Sequence, residues 1–132
     1  MEKKREILEE QIKQALTSTY KVISDKLINN NAKDKTFDFK SLDFSDVKDL
    51  KDKADYIKLR ASTDSKALKL RFSNNDIYLK NHPKNPALKK IYQLSEVMRC
   101  EMLGSKMLKG IKKNLENNYY QKINNKKYEE VK

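Results

Sequence analysis

Residues 96–115 read EVMRCEMLGSKMLKGIKKNL, and this stretch decides the fold because it has a helical pattern yet contains both glycines of the chain. A glycine inside a helix costs about 1 kcal/mol relative to alanine. Gly104 and Gly110 therefore indicate positions where a side chain would obstruct a close backbone contact. We expect a helix whose place in the fold is determined by what packs against it.

The apolar side chains of this helix are not confined to one face. With about 100° of rotation per residue, the C-terminal half is an ordinary amphipathic helix with lysines opposite the apolar face. Further towards the N-terminus, Ile91, Leu94, Met98 and Met102 lie on the side that carries lysines later. We favour a core position for Met98 and Met102, which requires another helix on that side. The alternative is an exposed patch that docks onto a partner, since methionine-rich patches adapt well to partner helices.

Three polar residues, Glu96, Arg99 and Asn114, lie near the edge of the apolar face. Glu96 and Arg99 are three residues apart and can pair along the helix. We interpret all three as a partly buried network that fixes packing, because polar groups on an apolar face must be satisfied whatever the function. Glu101 is assigned the same kind of role, structural or in subunit contact, and no residue is assigned to catalysis or metal binding.

The whole chain is predicted to be mainly α-helical, with three long helices. The first runs from Lys3 to about Ile28, and the second from the Asp-rich stretch at 46–52 to about Phe72. The third begins near Asn85, a good N-cap, with Pro86 at the first helical position. A short alternation that includes Phe37 and Phe39 predicts one small extended or β segment near residues 34–44.

The charge composition raises one alternative function. Lysine and arginine number 30 against 19 acidic residues, which gives a net charge of +11. A basic helical nucleic-acid-binding module is therefore the alternative function. Tyr119 and Tyr120 could then stack on bases, although tyrosines in such a position more often close a helix end over a core. However, lysine outnumbers arginine by 26 to 4, whereas arginine forks are favoured for bidentate contacts to bases and phosphates. A solvated lysine face is the preferred interpretation, which makes nucleic acid an improbable partner.

Reactive residues are scarce. The single cysteine, Cys100, lies on the apolar face and is most simply a small buried hydrophobe. His82 has no neighbouring Cys or carboxylate pair, so no transition-metal site is predicted. No segment reaches the roughly 20 apolar residues of a membrane span or forms a signal sequence, and the near absence of cysteine suits the cytoplasm.

Two blocks of sequence carry a family resemblance. The first is Asp64-Ser65-x-Ala67-Leu68-x-Leu70-Arg71; the second is Arg99-x-Glu101-x-Leu103-Gly104, followed by Gly110 and Asn114-Leu115. Their order and spacing resemble the N-terminal region of CobT, a subunit of the aerobic, ATP-dependent cobaltochelatase. The chain departs from the family where a His-containing segment is replaced by Asn74-Asn75-Asp76, and where an arginine pair is replaced by Lys106 and Met107.

The resemblance implies a function in assembly rather than catalysis. It implies that residues 1–132 form a single helical domain, the N-terminal part of a longer subunit whose von Willebrand A domain is absent from this chain. Such a domain would support cobalt insertion into hydrogenobyrinic acid a,c-diamide during aerobic cobalamin biosynthesis. Its partners would be an AAA+ ATPase subunit and a large chelatase subunit, with self-association possible. ATP, magnesium and cobalt would be used by the assembled complex, and we expect none to be bound by this domain alone.

Overall fold

The computed structural model describes residues 2–24 and 53–130, and these residues form five helices. The helices are α1 (Glu2–Ser24), α2 (Lys53–Phe72), α3 (Asn75–Lys80), α4 (Pro86–Met107) and α5 (Lys109–Glu130). The prediction of a mainly helical fold is confirmed. The predicted extended segment at 34–44 lies outside the described residues, as do the predicted end of the first helix and start of the second.

Helix α2 lies at the centre of the fold. Helices α1, α4 and α5 all pack against it, and α4 and α5 also pack against each other. Leu68 of α2 is fully buried in the main core, where it is joined by Cys100 of α4 and by Ile111 and Leu115 of α5. The predicted burial of Cys100 is confirmed. Tyr20 and Ile23 of α1 belong to the same cluster, so the core joins all four long helices of the described residues.

Helices α1 and α2 run parallel. Leu16 packs with Leu59 near the start of α2, whereas Arg71 Nη1, near the end of α2, donates a hydrogen bond of 3.3 Å to the Ile23 carbonyl. Contacts therefore advance in the same direction along both helices. The interface is apolar at both ends, and the side-chain to backbone hydrogen bond is added at the end of α2, where Ile23 packs in the same core cluster as Leu68.

The start of α4 follows from its local sequence. The Asn85 side chain accepts hydrogen bonds from the backbone N–H groups of Ala87 and Leu88, at 2.9 and 3.5 Å. Pro86 occupies the first helical position, where the absence of an N–H group costs nothing. The predicted helix start is confirmed.

The third predicted helix is not continuous, so the described residues contain four long helices rather than three. It breaks at Leu108, whose backbone is extended with φ −138° and ψ 124°. Beyond this residue the chain turns back, and Ile111 and Leu115 pack into the core against α2. A continuous helix would carry these two side chains away from Leu68, so burying them favours the break over an unbroken hydrogen-bond ladder.

The two glycines have different surroundings. A Cβ atom on Gly104 would collide with the Leu68 side chain, so this glycine permits α4 to approach α2 closely. The close contact is with a side chain rather than with backbone, which corrects the prediction in part. At Gly110 no atom lies within 4 Å of the position that a Cβ atom would take, and the prediction of a close contact there is wrong. Gly110 lies in the first turn of α5, directly after the break that the sequence pattern did not reveal.

Candidate docking site

An open groove of about 770 Å³ lies between α4 and α5, on the side that carries Met98 and Met102. Its apolar walls come from three residues of α4 and two of α5: Leu94, Met98, Met102, Leu115 and Tyr119. Its polar residues are Glu101, Ser105, Lys106, Lys112 and Glu116. We call this surface the α4–α5 groove.

The two methionines are exposed in this groove. Met98 retains 52% of its accessible surface and Met102 retains 61%, while Leu94 retains 60%. The favoured prediction of a core position for both methionines is therefore wrong. The helical pattern correctly indicated a second apolar stripe on α4, but among the described helices α5 only borders that stripe and does not cover it.

Glu101 of α4 is hydrogen-bonded to both α2 and α5 beneath the groove. The Ser65 hydroxyl on α2 donates to its Oε1 at 2.7 Å, and the Tyr119 hydroxyl on α5 donates to its Oε2 at 2.6 Å. Burial raises the pKa of Tyr119 to about 12, and the hydrogen bond to the carboxylate acts in the same direction. Glu101 thus acts as a structural acceptor that fixes one groove wall relative to the other.

Replacing Tyr119 by Phe should lower the free energy of unfolding by about 1 kcal/mol, because a hydrogen bond to a charged group is lost at a partly exposed site. Since the folded-state pKa is raised, this contribution is full below the ordinary value of 10 and is lost as the pH rises towards about 12. Urea titrations at pH 7 measure the cost. The control is Tyr120→Phe, because Tyr120 is 68% exposed; equal effects of the two changes would contradict the assignment.

A second buried carboxylate, Asp64, is paired across α2 and α5. Its side chain is fully buried, and Asn114 Nδ2 donates to its Oδ2 at 3.0 Å. Arg60 Nε lies 3.2 Å from Oδ1 in an ion pair along α2 and donates a hydrogen bond of 3.4 Å to Oδ2, whereas Oδ1 receives no hydrogen bond from the described residues. Burial accordingly raises the pKa of Asp64, against the lowering effects of Asn114 and Arg60. This pair is the polar component of the α2–α5 interface.

Glu96 and Arg99 form the predicted pair, without Asn114. Arg99 donates two hydrogen bonds to the Glu96 carboxylate, from Nε at 3.0 Å and from Nη2 at 2.6 Å. Nη2 also donates to the Phe72 carbonyl at 2.9 Å, which satisfies an acceptor at the end of α2. These bonds hold the pKa of Glu96 below its usual value. Asn114 belongs instead to the Asp64 pair, so the prediction of one network of three residues is wrong.

Sequence reasoning did not assign a role to Asp64 or Ser65, although both lie in the block that carries the resemblance, and it did not connect Tyr119 with Glu101. A signal for Asp64 was present, because it lies three residues after Ala61 and four before Leu68, on the buried stripe of α2. An aspartate at such a position requires a partner. No comparable signal identifies Tyr119, whose partner Glu101 lies on another helix.

The chemistry that the described residues can perform is limited. No group of three or more His, Cys, Asp or Glu side chains comes together within residues 2–24 and 53–130 in a way that could hold a metal ion. Burial raises the pKa of the Cys100 thiol, which disfavours the reactive thiolate. None of the helices in this part of the chain is both long and apolar enough to cross a membrane.

Comparison with known families identifies the chain. The family model described as cobalamin biosynthesis protein CobT matches residues 7–132. Searches of curated proteins and of solved structures gave no match. The match includes both sequence blocks noted above, and with them the helices that form the groove. The chain therefore belongs to the CobT family of cobalamin biosynthesis proteins.

Proposed function

We propose that this chain is a non-catalytic assembly domain of an ATP-dependent cobaltochelatase. In this function it supports cobalt insertion into hydrogenobyrinic acid a,c-diamide during aerobic cobalamin biosynthesis in the cytoplasm. Its partners are an AAA+ ATPase subunit and a large chelatase subunit, which use ATP, magnesium and cobalt. Membership of the CobT family supports a function in cobalamin biosynthesis.

The observation that carries an assembly role is the exposed α4–α5 groove. Monomeric proteins rarely leave large contiguous apolar patches in water, and such patches commonly mark interaction sites. In this groove Leu94, Met98 and Met102 each keep more than half of their surface exposed. Beneath it, Glu101 is held by two hydrogen bonds from neighbouring helices. A preformed apolar surface on a rigid base suits docking better than catalysis.

Replacing Met98 and Met102 together by Glu should leave the fold intact and abolish co-purification with the AAA+ subunit. Both side chains are more than half exposed, and substitutions at exposed positions usually change stability by less than about 0.5 kcal/mol each. Placing two carboxylates in an apolar contact would instead oppose binding strongly. Pull-down with purified AAA+ subunit and thermal unfolding measure the two properties.

The matched control replaces Ile77 and Leu79 of α3 by Glu. These side chains are 61% and 59% exposed but lie outside the groove. The control should retain the AAA+ subunit. A folded Met98 and Met102 variant that still binds the subunit would remove the groove as the contact site. Salt-sensitive retention of the unmodified chain on nucleic acid, without subunit binding, would favour the alternative nucleic-acid-binding function.

A further inference from the structure

The dimensions of the α4–α5 groove suit a helix. Along α4 it extends from Leu94 to Lys106, a distance of about 18 Å at 1.5 Å per residue. This length accommodates about three helical turns. Apolar residues lie along both walls, from Leu94 and Tyr119 at one end to Met102 towards the other. An amphipathic helix places apolar side chains into such a groove at every third or fourth position.

The charge around the groove indicates which side chains should flank the apolar stripe of the bound helix. The lining itself holds two lysines, Lys106 and Lys112, and two glutamates, Glu101 and Glu116, and residues 86–127 around it carry ten basic and three acidic side chains. Two of the acidic ones are already engaged, because Glu96 pairs with Arg99 and Glu101 accepts two hydrogen bonds. Glu116 and Lys112 are both exposed and their charged atoms are 4.0 Å apart, so this ion pair is weak and leaves Lys112 available to a partner.

Lysines flank the groove at both ends. Lys106 and Lys112 line it at the end close to Leu108. At the other end Lys122 lies over the Tyr119 ring, with Nζ 5.5 Å from the ring centre. The same positive charge opposes a second copy of this basic chain as the occupant and favours an acidic one.

We propose that the α4–α5 groove binds an amphipathic helix of a partner protein whose apolar stripe is flanked by acidic residues. Met98, Met102 and Tyr119 contact the apolar stripe, and Lys106 and Lys112 contact the acidic side chains. The proposal rests on the assembly role above and adds the chemistry of the partner. It assigns affinity to the methionines and specificity to the lysines, since charges mainly determine which partner is accepted.

Two synthetic peptides test the proposal against the intact chain. Both are helical, about 14 residues long, and share one stripe of Leu at positions i, i+3, i+4 and i+7. One carries Glu on the edges of the stripe and the other carries Lys. Fluorescence anisotropy should show that the Glu peptide binds and that its affinity falls as salt is added. The Lys peptide should bind at least about tenfold more weakly than the Glu peptide. Equal affinities, or no binding of the Glu peptide, would overturn the proposal.

Charge-reversal variants locate the binding surface. Lys106→Glu with Lys112→Glu should weaken the Glu peptide about tenfold and strengthen the Lys peptide. The control is Lys89→Glu with Lys90→Glu, which makes the same change in net charge at exposed positions of α4 outside the groove. Equal loss in both variants would mean that binding is non-specific attraction and would overturn the proposal.

Apolar variants test the other half of the contact. Met98→Ser with Met102→Ser should weaken the Glu peptide about tenfold or more, whereas Ile77→Ser with Leu79→Ser should not. Unchanged affinity of the methionine variant would overturn the proposal. Thermal unfolding of each variant verifies that the fold is kept.

The peptide assay is independent of the proposed function, because it contains no AAA+ subunit. Selective peptide binding without capture of that subunit would support the groove chemistry and contradict the chelatase partner. Capture that survives the lysine and methionine substitutions would support the function and contradict the groove as its basis.

Discussion

Gly104→Val should lower the free energy of unfolding by about 2 to 3 kcal/mol, an overpacking cost that exceeds any gain in helix propensity. The Cβ atom alone would come within 3.0 Å of three Leu68 side-chain atoms, including the branch atom Cγ. Because Leu68 is fully buried, it cannot rotate into solvent, and α4 must move away from α2. Urea unfolding monitored by circular dichroism measures this loss.

A double-mutant cycle tests the physical cause. Leu68→Ala alone should cost about 2 to 5 kcal/mol through the cavity that it leaves. The double variant with Gly104→Val should cost clearly less than the sum of the two single costs, because the valine fills part of that cavity. Strict additivity would show that the two positions do not share space. Gly110→Ala is the matched control and should be neutral or stabilising by up to about 1 kcal/mol, since its site is open.

Asn114→Ala should cost about 2 kcal/mol at pH 7, because the buried Asp64 carboxylate loses its shorter hydrogen bond and keeps only the one from Arg60 Nε at 3.4 Å. In a chain that already carries Asp64→Asn the same change should cost about 1 kcal/mol or less, since no buried charge remains. Chemical denaturation of the four proteins gives the coupling. A cost that is equal in both backgrounds would contradict the pairing of these residues.

The pH dependence of stability follows from Asp64. Burial raises its pKa above the ordinary value of 3.8, so just above pH 3.8 the folded protein keeps a proton that the unfolded chain has released. The contribution of Asp64 to stability is therefore full below pH 3.8 and is lost as the pH rises through the folded-state pKa. Asp64→Asn lacks this loss and should gain on the unmodified protein as the pH rises from 4 to 7. A difference that is constant with pH would contradict the raised pKa.

Local sequence signals predicted the features of the fold that depend on neighbouring residues. The Asn85 cap and Pro86 gave the start of α4, and helical spacing gave the burial of Cys100. The break at Leu108 was missed, because no proline or turn sequence occurs at that residue. It is explained by the burial of Ile111 and Leu115 against α2, a tertiary effect.

The candidate site was also predicted only in part, because some of its features depend on packing between distant helices. The second apolar stripe on α4 is visible in the sequence, but whether Met98 and Met102 are covered depends on where other helices lie. The partner of Asn114 is Asp64, 50 residues away. Helical spacing can show that each of these residues lies on a buried face, but it does not show which residue of another helix is its partner. The pairing of Glu96 with Arg99, only three residues apart, was predictable from spacing alone.

The single non-helical residue between α4 and α5 has a consequence for recognition. The Leu108 N–H group is bonded to the Gly104 carbonyl, and the Leu108 carbonyl accepts from Lys112 N–H, at 3.0 and 3.3 Å. The connection between the two groove walls is therefore hydrogen-bonded to both helices, which restricts its backbone conformation. Under the proposed docking function, little conformational entropy would be lost on binding, so more of the contact energy would be available as affinity. Inserting flexible residues at this connection would substitute none of the groove residues and should still reduce affinity.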